Sequence, residues 1–537
     1  MPAHWEKISI KFYPGISVKA LFLSSLFFIL FQSGLSGQEK KQVEVTSDYV
    51  EYDSDLGKGA KRLIGDVRFK HEDVYMTCDS AYYYSEENVL DAFSHVHAWQ
   101  GDTLDLYGDY LQYDGSLKTA RIRKNVILID KESRLTTNYV DHFFNENYSY
   151  YLGGGKIVNG DNTLESMIGY YYSKEKVFYF KDSVVVINPD YDIFCDTLRY
   201  HTQTEVSYFF GPTEIISDEN YIYCENGWYD TRNEIAQFNE NAYLQSEGTS
   251  IRGDSLYYER ETGMGKAFRN IVMVDTTQDI VMKGNRAIYF EDPEYAMVTD
   301  SAIFIQLDNT DSLFVHADTL LSIPDTMEER RIIKAYYHVK FFREDFQGKC
   351  DSLTYSEVDS IFRFYGDPVL WSDEHQLTSE FIELHTRDRQ LDRIEMLNSA
   401  FIVSMEDSSK FNQIKGRNMS GYIKNNELQT IHVTGNAETI YYGKDMDVIV
   451  GVNKAVSSNL VIYFQENKIQ RIVYLTQPSG TYYPIEKFAT VQSKLENFRW
   501  LDDFRPKTRD DIFIWNRGKS TEINQDIQIP LPSQPDI

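Results

Sequence analysis

The feature that most limits what this chain can fold into is a repeat. Between about residue 60 and residue 450, two short motifs alternate. The first starts at a Gly, Asn, Asp or other polar pair and continues as an apolar/polar alternation. Copies are Gly65-Asp66-Val67-Arg68-Phe69, Ser94-His95-Val96-His97-Ala98, Lys124-Asn125-Val126-Ile127-Leu128 and Asp182-Ser183-Val184-Val185-Val186. Later copies are Glu240-Asn241-Ala242-Tyr243-Leu244, Arg269-Asn270-Ile271-Val272-Met273 and Tyr337-His338-Val339-Lys340-Phe341. The second motif runs small, acidic, Ser or Thr, apolar, any residue, Tyr, as in Cys78-Asp79-Ser80-Ala81 and Cys195-Asp196-Thr197-Leu198. Its acidic residues Asp196, Glu225 and Asp254 recur every 29 positions. A period near 30 kept through about a dozen copies marks a repeat architecture. One copy is too small to bury its own apolar face, so neighbours must stack into a continuous interior.

The period inside the motifs is two, the period of a strand. Composition agrees: 15% of residues are aromatic, with 40 Tyr and 32 Phe against 13 Pro. No helical period of similar strength runs between Lys41 and Tyr474. The expected fold is all-β, elongated and solenoid-like, about a dozen ~30-residue repeats with strands of about five or six residues between turns. At one strand spacing per repeat the array would be roughly 60 Å long. The alternation puts Val67, Phe69, Val96, Ala98, Val126, Leu128, Val184, Val186, Ala242, Leu244, Ile271, Met273, Val339 and Phe341 on the inner side. Arg68, Lys70, His95, His97, His338 and Lys340 fall outside. Pro189, Pro293 and Pro324 are expected at breaks or loops, because proline interrupts ladder bonding.

Residues 1–37 differ from the rest. Lys7, Lys11 and Lys19 precede the apolar run 20–31, and Gly34, Ser36 and Gly37 follow it. A basic head, a short apolar core and a small-residue exit form a secretory signal, with cleavage expected after Ser36 or Gly37. Twelve residues span only about 18 Å as a helix, short of a bilayer core. The expected strand length, too short to cross a bilayer, speaks against a membrane barrel. The net charge of -28 disfavours nucleic acid as a partner. Cys78, Cys195, Cys224 and Cys350 share one phase of the repeat and fit no metal motif, so a small residue is wanted there. A bridge between Cys195 and Cys224 stays open. No nucleophile elbow, zinc-protease motif or phosphate loop occurs, so no enzyme activity, cofactor or metal is expected. Gly153-Gly154-Gly155-Lys156 is a turn on this reading, and the recurring acids are expected to bond local backbone.

With its secretory signal, its recurring Gly/Asn-polar-Val strands and its small-Asp-x-apolar-x-Tyr strands, the chain from about Val43 to Tyr474 resembles the OstA-like proteins. These are relatives of the periplasmic lipopolysaccharide-transport protein LptA, and the chain is similar in length to the long Bacteroidetes-type forms. The resemblance implies a β-jellyroll open along one side, taco-like, with an apolar groove for lipopolysaccharide acyl chains. It implies a non-catalytic periplasmic carrier, possessing no cofactor, that meets other transport components by edge-strand addition. On that basis the fourteen inner residues become the candidate groove lining. The alternative is a structural or adhesive cell-surface β-solenoid filled by its own side chains. The expected organisation is a signal peptide at 1–37, jellyroll repeats at 38–200, 201–330 and 331–478, and a cap with a disordered tail at 479–537. The repeat is expected to stop at Pro478, with a short helix over Ile485–Phe498.

Overall fold

The structure, a computed structural model, describes residues 44–515 apart from 53–58, 72–73, 101–103, 131–132, 219, 247, 278, 291, 294, 309–310, 326–329, 388–389, 408, 425–426, 446–447, 466–467 and 489–492. The signal expected over 1–37 and the tail after Trp515 lie outside the described residues. The chain divides into two compact units, one ending at Ala296 and the other beginning at Met297.

In the first unit sixteen consecutive strands, from Ala60–His71 to Ile280–Phe290, are each 11 or 12 residues long. Each pairs antiparallel with the next. The strands are thus twice the expected length, and the reason lies at the polar pairs that head the first motif. In strand Val89–Gln100 the pair Ser94 and His95 has φ of 62° and 51°. The pairing jumps there from Thr77↔His97 to Ser80↔Phe93, leaving one extra residue on the second strand. The pair is a β-bulge at mid-strand, not a turn at its head. Both devices need residues that tolerate positive φ, so the two share a residue signature. Gly153 and Gly154, with φ of 79° and 102°, form the same bulge in strand Tyr148–Asn159. Gly211, at φ 79°, does so in Val206–Ile216. Both are copies of the repeat that its residue pattern hides.

The bulge also explains the recurring acid. Asn125 Nδ2 donates to Asp109 Oδ2 at 2.8 Å, Asn241 Nδ2 to Glu225 Oε1 at 2.8 Å and Asn270 Nδ2 to Asp254 Oδ1 at 3.0 Å. His95 Nδ1 lies 2.8 Å from Asp79 Oδ2, and His338 Nδ1 lies 2.8 Å from Asp318 Oδ2. Each acid ties its strand to the bulge of the next, rather than to local backbone.

Every repeat is a hairpin of two strands, so it advances the ladder by two spacings. Sixteen strands already extend about 70 Å within this unit. Strands of this length remove the argument that they are too short for a bilayer. However, their outward mid-strand positions carry Arg68, Asp79 and Asp182, where a membrane barrel carries its apolar band. Among the described residues no helix is long and apolar enough to cross a membrane.

The second unit repeats the plan with variations. At Gly366 and Asp367 the chain breaks fully, giving Ile361–Tyr365 and Val369–Ser372, which pair separately with Phe381–Arg387 and His375–Thr378. Four longer strands follow, Gln390–Met405 to Val448–Gln465. The pattern does not stop at Pro478: Lys468–Leu475 and Ser479–Pro484 both pair with Val448–Gln465, as two halves of one bent strand. Pro189 sits in a turn and Pro324 ends a strand.

Among the described residues of the expected helix over Ile485–Phe498, only the 3-10 turn Ile485–Lys487 is helical. Residues 493–515 instead form a strap running back over the outside of this unit. Gln413 Nε2 donates to the Ser493 carbonyl at 2.8 Å while its Oε1 accepts from Leu495 N at 2.8 Å. Gln376 treats the Arg499 carbonyl and Leu501 N in the same way, at 2.8 and 2.7 Å. Leu495 packs with Phe401, Val403, Ile440, Tyr442 and Val452. Farther along, Phe513 meets His316, and Trp515 meets His338. The segment is therefore not a cap on the last repeat. It also changes the reading of Lys340, whose side chain is 2% exposed and donates Nζ to the Ile514 carbonyl at 2.5 Å.

Candidate functional site

Because every strand bends at its middle, each contributes to two walls. In the first unit the inner positions line up strand by strand into columns. One wall carries Phe69, Met76, Ala98, Leu106, Leu128, Leu135, Ile157, Leu164, Val186 and Ile193, continuing through Ile215, Ile222, Leu244 and Ile251 to Met273 and Met282. The other carries Leu63, Ala81, Ala92, Leu111, Ile122, Val140, Tyr151, Gly169, Phe180 and Leu198, continuing through Phe209, Gly227, Phe238 and Leu256 to Ala267 and Ala287. Neither column holds a charge over sixteen strands. Between them, at the crease, lies a column of small or β-branched residues, including the partners Val67↔Cys78, Val96↔Gly108 and Ala242↔Gly253.

The crease shows why the repeat wants a small residue. A Cβ on Gly108 would stand 2.8 Å from Ile122 Cγ2. Cβ atoms on Gly155 and Gly169 would stand 2.5 and 2.2 Å from the Tyr151 ring. That ring reaches across to the crease, where its hydroxyl lies 2.6 Å from Ser166 Oγ. All four cysteines are buried and free, and burial pushes the Cys195 and Cys224 thiols up to about 12. A bridge between those two is ruled out by topology. Thr213 on the intervening strand pairs with both, which separates their Cα atoms by about 10 Å, beyond disulfide reach.

The alternation's inner side is the buried side of the strands. Val67, Val96, Val126, Val184, Ala242 and Ile271 lie along the crease, and Phe69, Ala98, Leu128, Val186, Leu244 and Met273 along one wall. Val339 and Phe341 hold the equivalent places in the second unit. All are buried except Met273, which is half-buried. Of the opposite wall, the sequence motifs hold only the apolar residue of the second motif, Ala81 and Leu198 among them, and it was not assigned to the lining. The members on alternate strands, such as Leu63 and Ala92, precede the bulge, where no motif had been drawn.

The two walls face each other. Leu135 and Ile157 of one and Val140, Tyr151, Gly169 and Phe180 of the other share one small cavity, about 20 Å³, room for about one water. Along the rest of the seam most wall residues are buried. At the mouth the chemistry changes. The rim beyond Leu63 carries Tyr83, Tyr113, Tyr171, Tyr200, Tyr229, Tyr258 and Tyr289, alternating with residues such as Ser207, Ala236 and Gly265. The opposite rim carries Ser133, Asn159, Asn162 and Asn188. Asn159 Nδ2 donates to Ser133 Oγ at 2.8 Å, and Asn188 donates to Asn162 Oδ1. The outward histidines do not converge: His95 is held by Asp79, and His97 Nε2 lies 2.7 Å from Asp105 Oδ1. Among the described residues no three His, Cys, Asp or Glu side chains gather as a metal site.

Comparisons with known proteins follow this geometry. Residues 40–196 and 192–254 match the family model described as OstA-like protein. A solved structure of LptH from Pseudomonas aeruginosa matches with 13% identity. LptH is titled the LptA homologous periplasmic component of the conserved lipopolysaccharide transport device, and the match covers 28% of this chain and 95% of that one at a TM-score of 0.15. No curated protein matches the chain. Across residues 40–254, where the bent strands and their seam begin, the chain is similar to the OstA-like proteins.

Proposed function

We propose that this chain is a periplasmic carrier that holds the acyl chains of lipopolysaccharide in the seam during transport to the outer membrane. The observation that carries this is the pair of unbroken apolar columns, kept in register over sixteen strands. Such a seam offers a long chain the same environment at every rung, with no deep trap. Binding would come from burying methylene groups at about 0.8 kcal/mol each, and it asks no catalysis of the protein. The candidate lining is the fourteen inner residues from Val67 to Phe341, together with the opposite wall.

Passage between components would use the sheet edges. Among the described residues, the outermost strand of the first unit, Glu44–Thr46 with Tyr49–Tyr52, pairs on one side with Ala60–His71 and exposes Tyr49, Val50 and Tyr52. An exposed apolar edge of this kind invites strand addition by a like domain. A secretory signal over 1–37 would deliver the chain to the periplasm.

The second reading, a structural solenoid, is favoured by one observation: most wall residues along the seam are buried. The carrier reading therefore requires the walls to part. Photocrosslinking in cells separates the two. Probes at Phe69, Leu128 and Phe341 should give lipopolysaccharide adducts, and a probe at exposed Arg68 should not. Lys340 cannot serve as the outward control, because the strap covers it. Adducts at none of the inner positions would leave the solenoid reading standing.

A further inference from the structure

The tyrosine of the second motif has no place in the acyl-chain seam proper. Tyr200, Tyr229 and Tyr258 sit at the third inner position from the bulge, one step farther from the crease than Leu198, Gly227 and Leu256. They recur every second strand, about 10 Å apart, and small residues stand between them, Ser207 and Ala236. Tyr191 stands on the facing rim, and the rings of Tyr191, Tyr200, Tyr229 and Tyr258 are all buried.

A phenol suits a boundary rather than a core. Its ring favours apolar contact and its hydroxyl needs a polar partner, which is why tyrosine gathers where one end is dry and the other wet. The wall columns of Leu, Ile, Val, Ala and Phe have almost no side-chain donors to offer. The tyrosine rim has one per repeat, all at the same depth.

We propose that this tyrosine row is the contact surface for the polar head of the amphiphile whose chains enter the seam, and that its hydroxyls donate to oxygens of that head. The proposal rests on the seam being where acyl chains bind. Those oxygens could belong to a sugar or to a phosphate, and the test separates the two.

The full chain and a variant with Tyr200→Phe, Tyr229→Phe and Tyr258→Phe are loaded with N-phenylnaphthylamine, an apolar dye with no polar head. The dye is then displaced with dodecyl phosphate or dodecyl maltoside below their micelle concentrations. Unchanged melting and circular dichroism confirm that the variant folds. The expected result is equal dye binding by both proteins, with about tenfold weaker displacement from the variant by at least one of the two amphiphiles. Which one weakens identifies the head chemistry. Equal displacement from both proteins overturns the tyrosine row while leaving the seam. Failure of the wild type to bind dye or amphiphile overturns the seam, and the row with it.

Discussion

At the residue scale the repeat is a set of solutions to one local problem, bending a strand without breaking its ladder. Positive-φ residues make the bulge, an acid on the preceding strand ties it down, and a small residue leaves room at the crease. The residue types and their spacing were legible in the sequence, because each requirement restricts residue type at a fixed spacing. What was not legible was which device the residues served, since Ser94-His95 would suit a turn as well as a bulge. The glycine run at 153–155 looked like a turn because no acid marks it. Its third glycine in fact clears space for Tyr151. His142 occupies a place in the tyrosine row. Burial lowers its pKa to about 4, and its Nδ1 lies 2.7 Å from Ser149 Oγ. A depressed histidine costs nothing above its ordinary pKa of 6.5, and its cost grows as pH falls from there towards 4. His142→Tyr should therefore retain about 2 kcal/mol more of its neutral-pH stability at pH 5 than the wild type does. Urea unfolding of both proteins at pH 7 and pH 5 measures this, and equal losses would show that His142 is not buried as a neutral base.

At the scale of elements, the bent strand and the strap differ in how they are written. The strand's two walls follow from alternation once the bulge is placed, but placing it needs the pairing register. That is why the column from Leu63 to Ala287 was not recognised as a wall, although Ala81 and Leu198 stand in the second motif. The strap has no periodic signal at all. Its anchors are Gln376 and Gln413, whose amides grip main chain 80 or more residues away in sequence. A glutamine in an outward strand position looks like any solvated residue. Both are fully buried. Their joint replacement, Gln376→Ala with Gln413→Ala, leaves four strap backbone groups without these partners, at about 1–3 kcal/mol each where water cannot reach them. The amides of Leu495 and Leu501 should lose hydrogen-exchange protection by at least tenfold, while those of strand Ala60–His71 do not change. Protection unchanged at Leu495 and Leu501 would mean that apolar contacts alone hold the strap.

At the scale of the molecule, the sequence made the interior visible and hid its state. Counting apolar positions cannot distinguish a seam shut on itself from one held open, because the same residues line both. The net charge of -28 does bear on the function. Lipopolysaccharide carries phosphate, so on the proposed function protein and ligand would repel at long range while the seam would attract the chains. Binding should therefore tighten as ionic strength rises from about 10 mM to about 150 mM, where the screening length falls below 10 Å. A titration that weakens with salt would point to a cationic site instead of an apolar one. The central claim is that the walls part to admit acyl chains. Asp190 and Thr204 are exposed in the turns at either end of strand Tyr191–His201, one on each side of the mouth. Nitroxide labels at Asp190→Cys and Thr204→Cys report the width of that mouth by electron-electron resonance, and the native cysteines are buried. The account predicts that saturating lipopolysaccharide shifts the distance distribution to longer values, and a distribution unchanged at saturation would contradict it.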